Sequence, residues 1–131
     1  MKHYEFQCKV EYPDLGVDAR LSHLGTLRMM QEAACQDSSR TGYGPFDVER
    51  NGVAWIICGW KLRLDRRPHW GEALTVHTWP RTMSSHLSER DFQIFDSHGN
   101  LICAATSRWL LIDVRTGRVT NVTPEIAAAY P

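Results

Sequence analysis

The stretch SHLGTLRMMQEAACQDSSRTGYGP, residues 22–45, decides the fold. Ser22 is a residue type that starts a helix, because its hydroxyl can accept a hydrogen bond from an early backbone N–H. Leu24, Leu27, Met30 and Ala34 then recur at helical spacing, with Gln31 one step round the face. From Leu24 to about Arg40 there is no proline and, after Gly25, no glycine. Thr41-Gly42-Tyr43-Gly44-Pro45 ends the run. The spacing predicts a helix of about five turns, the only long one in the chain. The small residues Gly25, Ala33, Ala34 and Cys35 would let it lie close against a sheet.

Upstream of this helix the period is two. Phe6, Cys8, Val10 and Tyr12 share one face, and Glu5, Gln7, Lys9 and Glu11 the other, until Pro13-Asp14-Leu15-Gly16 breaks the strand. Downstream, after a loop from Phe46 to Gly52, the remainder reads as strands: Val53 to Asp65, Ala73 to Trp79 ended by Pro80, Ser88 to Phe95, and Leu101 to Asp113. Asp96-Ser97-His98-Gly99-Asn100 and Arg115-Thr116-Gly117-Arg118 read as turns. The tail holds Pro124 and a short helical run from Glu125 to Ala129.

One apolar helix cannot cover both faces of a sheet. The economical solution is a strongly twisted antiparallel sheet of about five strands wrapped round it. That is the α+β arrangement called the hot-dog fold. An unpaired sheet edge invites pairing, so a dimer joined edge to edge is expected.

The 131 residues suit a single domain spanning the chain, and 43% hydrophobic with 23% charged residues is the balance of a globular protein. Lys+Arg and Asp+Glu both number 15, so no basic excess points to nucleic acid or to an anionic membrane. No apolar run approaches the roughly 20 residues of a membrane helix. The N-terminus alternates charged and apolar residues, unlike a signal peptide. Cys8, Cys35, Cys58 and Cys103 are far apart with no C-x-x-C pair. They read as reduced, small core residues of a cytoplasmic protein, with no metal site and no cofactor implied.

Particular residues are similar to a known family. Gly16-Val17-Asp18-Ala19-Arg20-Leu21-Ser22, then Leu27 and Met30-Gln31-Glu32-Ala33-Ala34, resemble the start of acyl-acyl-carrier-protein thioesterases. So do Trp55-Ile56-Ile57, Asp65 to Glu72, Val76-His77-Thr78-Trp79, Arg90-Asp91-Phe92, Ser107-Arg108-Trp109 and Thr116-Gly117-Arg118. The resemblance runs in order over almost the whole chain. It implies a hot-dog fold and, as ligand, an acyl thioester of acyl carrier protein or coenzyme A. Enzymes of that family carry two such repeats, and this chain resembles the first. Their catalytic Asp-x-Asn-x-His lies in the second. Superposed through Gln31-Glu32, those positions fall here on Gly16, Asp18 and Arg20, and none is retained. Three readings follow: a thioesterase working as a homodimer or higher homo-oligomer, half of a two-repeat enzyme, or a non-catalytic acyl-binding module. A dehydratase on the same fold would need a motif that is absent.

Thioester hydrolysis needs an apolar tunnel, donors for the oxyanion, and a group that activates water. Related single-repeat thioesterases place the thioester over the start of the central helix. That implies an oxyanion role for the N–H groups of His23, Leu24, Gly25 and Thr26. Gly25 would let a ligand come close, or merely permit helix-on-sheet contact. Glu32 is a candidate general base, or an ordinary helix-face charge. Asp18 lies near the acidic position of related enzymes, or holds a turn. His23 could donate to a carbonyl or shuttle a proton. Without a G-x-S-x-G elbow, Ser22 reads as a helix cap rather than a nucleophile. The expected substrate-binding positions are Ser22, Gly25, Thr26, Met29, Trp55 and Trp60. Met30, Ile57, Trp79, Trp109 and Leu111 are further tunnel candidates. Arg63, Arg66, Arg67, Arg81, Arg115 and Arg118 near strand ends would meet an acidic carrier protein or form a solvated rim.

Overall fold

A computed structural model describes residues 3–130. Its centre is helix α1, His23–Thr41. Ser22 Oγ accepts from the Gly25 N–H at 2.9 Å and donates to the Asp14 carbonyl at 3.0 Å, so the cap also ties the helix to the preceding turn. At the other end Gly42 adopts a left-handed φ of 90°, which glycine takes without steric cost, and its N–H reaches back to the carbonyls of Ser38 and Ser39.

Among the described residues six antiparallel strands accompany the helix: β1 (Tyr4–Lys9), β2 (Val53–Leu64), β3 (Ala73–Met83), β4 (Leu87–Asp96), β5 (Leu101–Asp113) and the two-residue β6 (Arg118–Val119). Their order is β1-β3-β4-β5-β2, with β6 beside the end of β5. The outer strands are therefore β1 and β2. The inner face of the curved sheet supplies Leu74, Val76, Phe92, Ile94, Ile102 and Cys103, which close on Met29, Met30, Ala33 and Ala34 of the helix. This is the expected hot-dog architecture. Alternation is strictest in β4, where Ser88, Arg90, Phe92, Ile94 and Asp96 all turn inward.

Several local expectations are corrected. Tyr12 leaves the strand for a 3₁₀ turn, Tyr12–Asp14, and is exposed, because Pro13 supplies no N–H for a ladder. Pro80 does not end β3. The register against β4 shifts between Pro80 and Thr82, and this bulge takes the proline without ending the strand. The loop expected from Phe46 to Gly52 contains a 3₁₀ turn, Pro45–Asp47, and a short helix α2, Val48–Asn51. A further helix α3, Pro124–Ala129, follows the last strand. Of the four free cysteines only Cys103 is fully buried; Cys8 and Cys35 are partly buried, and Cys58 lies exposed on β2. Burial pushes the thiols of Cys8 and Cys103 up to about 11.

Candidate functional site

A cavity of about 230 Å³ lies between the C-terminal half of α1 and the sheet. Ala34, Cys35 and Ser38 form its helix side; Trp55 of β2, Ser88 and Arg90 of β4, and Trp109 of β5 form its sheet side. Met83, the Tyr43–Pro45 turn and Val48 complete the wall, and Tyr130 closes it after α3. The Trp55 Nε1–H donates to Tyr130 Oη at 3.0 Å, and that hydroxyl donates to Ser38 Oγ at 3.0 Å. The Trp109 Nε1–H donates to Ser107 Oγ at 2.7 Å. Both indole N–H groups are thus occupied, and what the rings offer the cavity is carbon surface.

Among the described residues one wall residue is charged. Arg90 is 5% exposed at its side chain, and its Nη1 donates to Asp37 Oδ2 at 2.9 Å and to Thr78 Oγ1 at 3.1 Å. Asp37, on the buried face of α1, also receives Arg40 Nη2 at 2.6 Å. Removing either partner of the buried pair would strand the other charge away from water.

The helix start is less open than expected. Gly25 N–H is taken by Ser22 Oγ, and Thr26 N–H by the Ser22 carbonyl. Thr26 is wholly buried with its hydroxyl on that same carbonyl. The Asp14 turn covers Gly25 so closely that the close approach there is by the chain itself. Among the described residues, the N–H groups of His23 and Leu24 remain without a partner, on an exposed end of the helix. Asp18 is exposed and held by Arg67 through both carboxylate oxygens, at 2.7 and 3.0 Å. The Arg67 guanidinium keeps the Asp18 carboxyl below its ordinary range, which makes it a weaker base. Beside it Ala19 carries a left-handed φ of 60°, a strained conformation for a residue with a Cβ.

Glu32 is exposed and borders an open groove along α1 with Gln31, Gln36 and Arg28. It receives one long hydrogen bond from Gln36 Nε2, 3.4 Å, and no ion pair among the described residues. Glu32 lies nine positions along the helix from His23, an axial distance of about 13 Å. One copy of the chain therefore does not bring the helix start and Glu32 onto the same carbonyl.

Of the expected tunnel residues, Trp55 and Trp109 line the cavity. Trp60 instead turns against Phe92, ring centroids 5.3 Å apart, and Met29 and Met30 belong to the filled core. Trp79 stacks on His3. Most rim arginines are already committed: Arg63 to Asp65, Arg66 to Glu72 and Asp96, Arg67 to Asp18, and Arg81 to Glu89 and Asp91. Arg115 and Arg118 have no carboxylate partner among the described residues. Sequence reasoning gave Asp37, Arg90 and Tyr130 no role in the site. The signal for Arg90 was its phase, two residues from Phe92 on a strictly alternating strand.

The profile of the acyl-ACP thioesterase N-terminal domain family matches residues 1–130. A chloroplastic palmitoyl-acyl carrier protein thioesterase of Gossypium hirsutum is 26% identical over 121 residues, 86% of this chain and 29% of its own length. The chain thus spans about three-tenths of the length of the curated relatives it matches. The structure of an acyl-ACP thioesterase from Bacteroides thetaiotaomicron superposes with a TM-score of 0.83 at 22% identity, over 90% of this chain and 49% of that one. A DHNA-CoA thioesterase from Staphylococcus aureus gives 0.88 at 18% identity, over 99% of this chain and 89% of that one. These superpositions place the chain in the hot-dog fold.

Proposed function

Because the chain belongs to the acyl-ACP thioesterase family, we propose that it binds the acyl chain of a fatty acyl thioester and, paired with a second copy, hydrolyses it to free acid and thiol. The observation that carries this reading is the cavity between α1 and the sheet, walled by the carbon faces of Trp55 and Trp109. A cavity of about 150 Å³ takes one benzene, so about 230 Å³ takes roughly nine carbon atoms of a medium acyl chain.

The pairing proposed is through β2, which has a neighbour on one side only. Two copies related by a two-fold axis place one helix start near the other copy's Glu32. Water then attacks the thioester carbonyl and gives its proton to the Glu32 carboxylate. The N–H groups of His23 and Leu24 receive the oxyanion, aided by the helix dipole. Collapse breaks the C–S bond, and the thiolate recovers the proton from Glu32. His23 is exposed beside the site and can donate to the same oxygen. In this mechanism Asp18 braces the loop through Arg67 rather than taking the proton.

The carrier is acyl carrier protein or coenzyme A, and Arg115 and Arg118 are the rim cations left for its acidic groups. Four free cysteines suit the reducing cytoplasm, and no helix among the described residues is long and apolar enough to cross a membrane.

The test is hydrolysis of medium-chain acyl thioesters followed by release of free thiol. Wild type is expected to turn over, with Glu32→Gln lowering kcat by about 10²–10⁴-fold at similar KM. Acyl binding without any turnover by wild type would instead establish a binding module.

A further inference from the structure

We infer that the cavity selects acyl chains carrying an oxygen substituent, a hydroxyl or oxo group, and that Arg90 is the specificity-determining donor. This rests on the acyl-binding reading above and adds the chemistry of the chain. Both Nη1 hydrogens of Arg90 are spent on Asp37 and Thr78. Its Nε–H and the two N–H bonds of Nη2 have no acceptor among the described residues. Yet no fully enclosed side-chain nitrogen or oxygen among the described residues lacks a partner. Nε and Nη2 therefore border open space, and for a side chain only 5% exposed that space is the cavity it lines.

The local charge points the same way. Arg90 shares its one carboxylate partner, Asp37, with the half-exposed Arg40, so Asp37 is not spent on neutralising Arg90 alone. The Ser88 hydroxyl beside it is already donated to the Thr82 carbonyl, leaving the guanidinium as the donor of that wall. A hydrocarbon chain filling the cavity would displace water from three N–H bonds and offer no acceptor in return. Buried donors left without an acceptor weaken binding of the chain that strands them. A chain with an oxygen at that depth satisfies them, and sites built to hydrogen-bond a substrate oxygen discriminate strongly against its absence.

The experiment uses the purified full chain and medium-chain fatty acid methyl esters, so that no head-group carboxylate competes for Arg90. Unsubstituted esters are compared with esters hydroxylated or oxidised to ketones at each position in turn, binding being read by isothermal titration calorimetry. At least one oxygenated isomer is expected to bind about tenfold or more tightly than the plain ester of equal length. Arg90→Met should abolish that preference, so that plain and oxygenated esters of equal length bind it alike. If Arg90→Met does not fold, the wild-type series decides by itself. Plain esters binding as well as every oxygenated isomer would overturn the role of Arg90 and leave acyl binding intact. Failure of every ester to bind would overturn the acyl-binding reading, and this inference with it.

Discussion

A methyl group added at Gly25 would sit 2.6 Å from both the Cβ and the carbonyl oxygen of Asp14. Alanine is the better helix former by about 1 kcal/mol, but relieving that overlap costs about 1–3 kcal/mol, and the two neighbouring groups belong to a turn tied down by Ser22. Gly25→Ala should therefore lower the melting temperature by several degrees in a thermal unfolding experiment; an increase would show that the Asp14 turn yields freely. The sequence left two readings of Gly25 open, and the contact with Asp14 is what the fold uses. At this scale the aromatic lining was legible in part. Trp55 and Trp109 were expected because large flat residues on strands must find apolar surroundings. Trp60 was misplaced because alternation says which residues share a face, not where along that face a void is left. Asp37 and Arg90 were harder to see, since each gains its reason for burial from the other, 53 residues away.

The elements themselves follow from short-range chemistry. A serine cap, a glycine stop and a run without breakers define α1, and period-two alternation defines β1, β3 and β4. The misreadings arose where a local breaker was accommodated. Pro80 sits at a register shift, and the Gly44 N–H bonded to Asp47 Oδ2 at 2.9 Å converts an apparent loop into the entry of α2. The strand with most bearing on assembly is β2. It ends the sheet, carries Ile56 at 49% exposure, and leaves Cys58 open to solvent. Charged side chains on an edge discourage pairing. Sedimentation should find the wild-type protein dimeric, with Ile56→Lys raising the dimer dissociation constant at least about tenfold and leaving the far-ultraviolet circular dichroism unchanged. A wild-type protein monomeric at every concentration would remove the second copy that the proposed hydrolytic site requires.

Across the whole molecule, the sequence reading and the structure agree on a long helix held by a curved antiparallel sheet, because burial demands of one helix and one sheet leave few other arrangements. The cavity was not legible in that way. Its wall is assembled from α1, the turn after it, four strands and Tyr130, which reaches Ser38 from 92 residues away. Such closure depends on three-dimensional curvature that no local period encodes. The same closure separates two regions of the helix: a cavity under its second half, walled by aromatic carbon and by Arg90, and an exposed start with the N–H groups of His23 and Leu24. In the proposed function the acyl chain occupies the first region and the thioester the second. The most direct measurement is a crystal structure of the protein with a non-hydrolysable thioether analogue of a medium-chain acyl-coenzyme A. The account predicts the acyl carbons between α1 and β4–β5, against Trp55 and Trp109. An acyl chain lying outside the helix–sheet space, with that cavity unfilled, would contradict it.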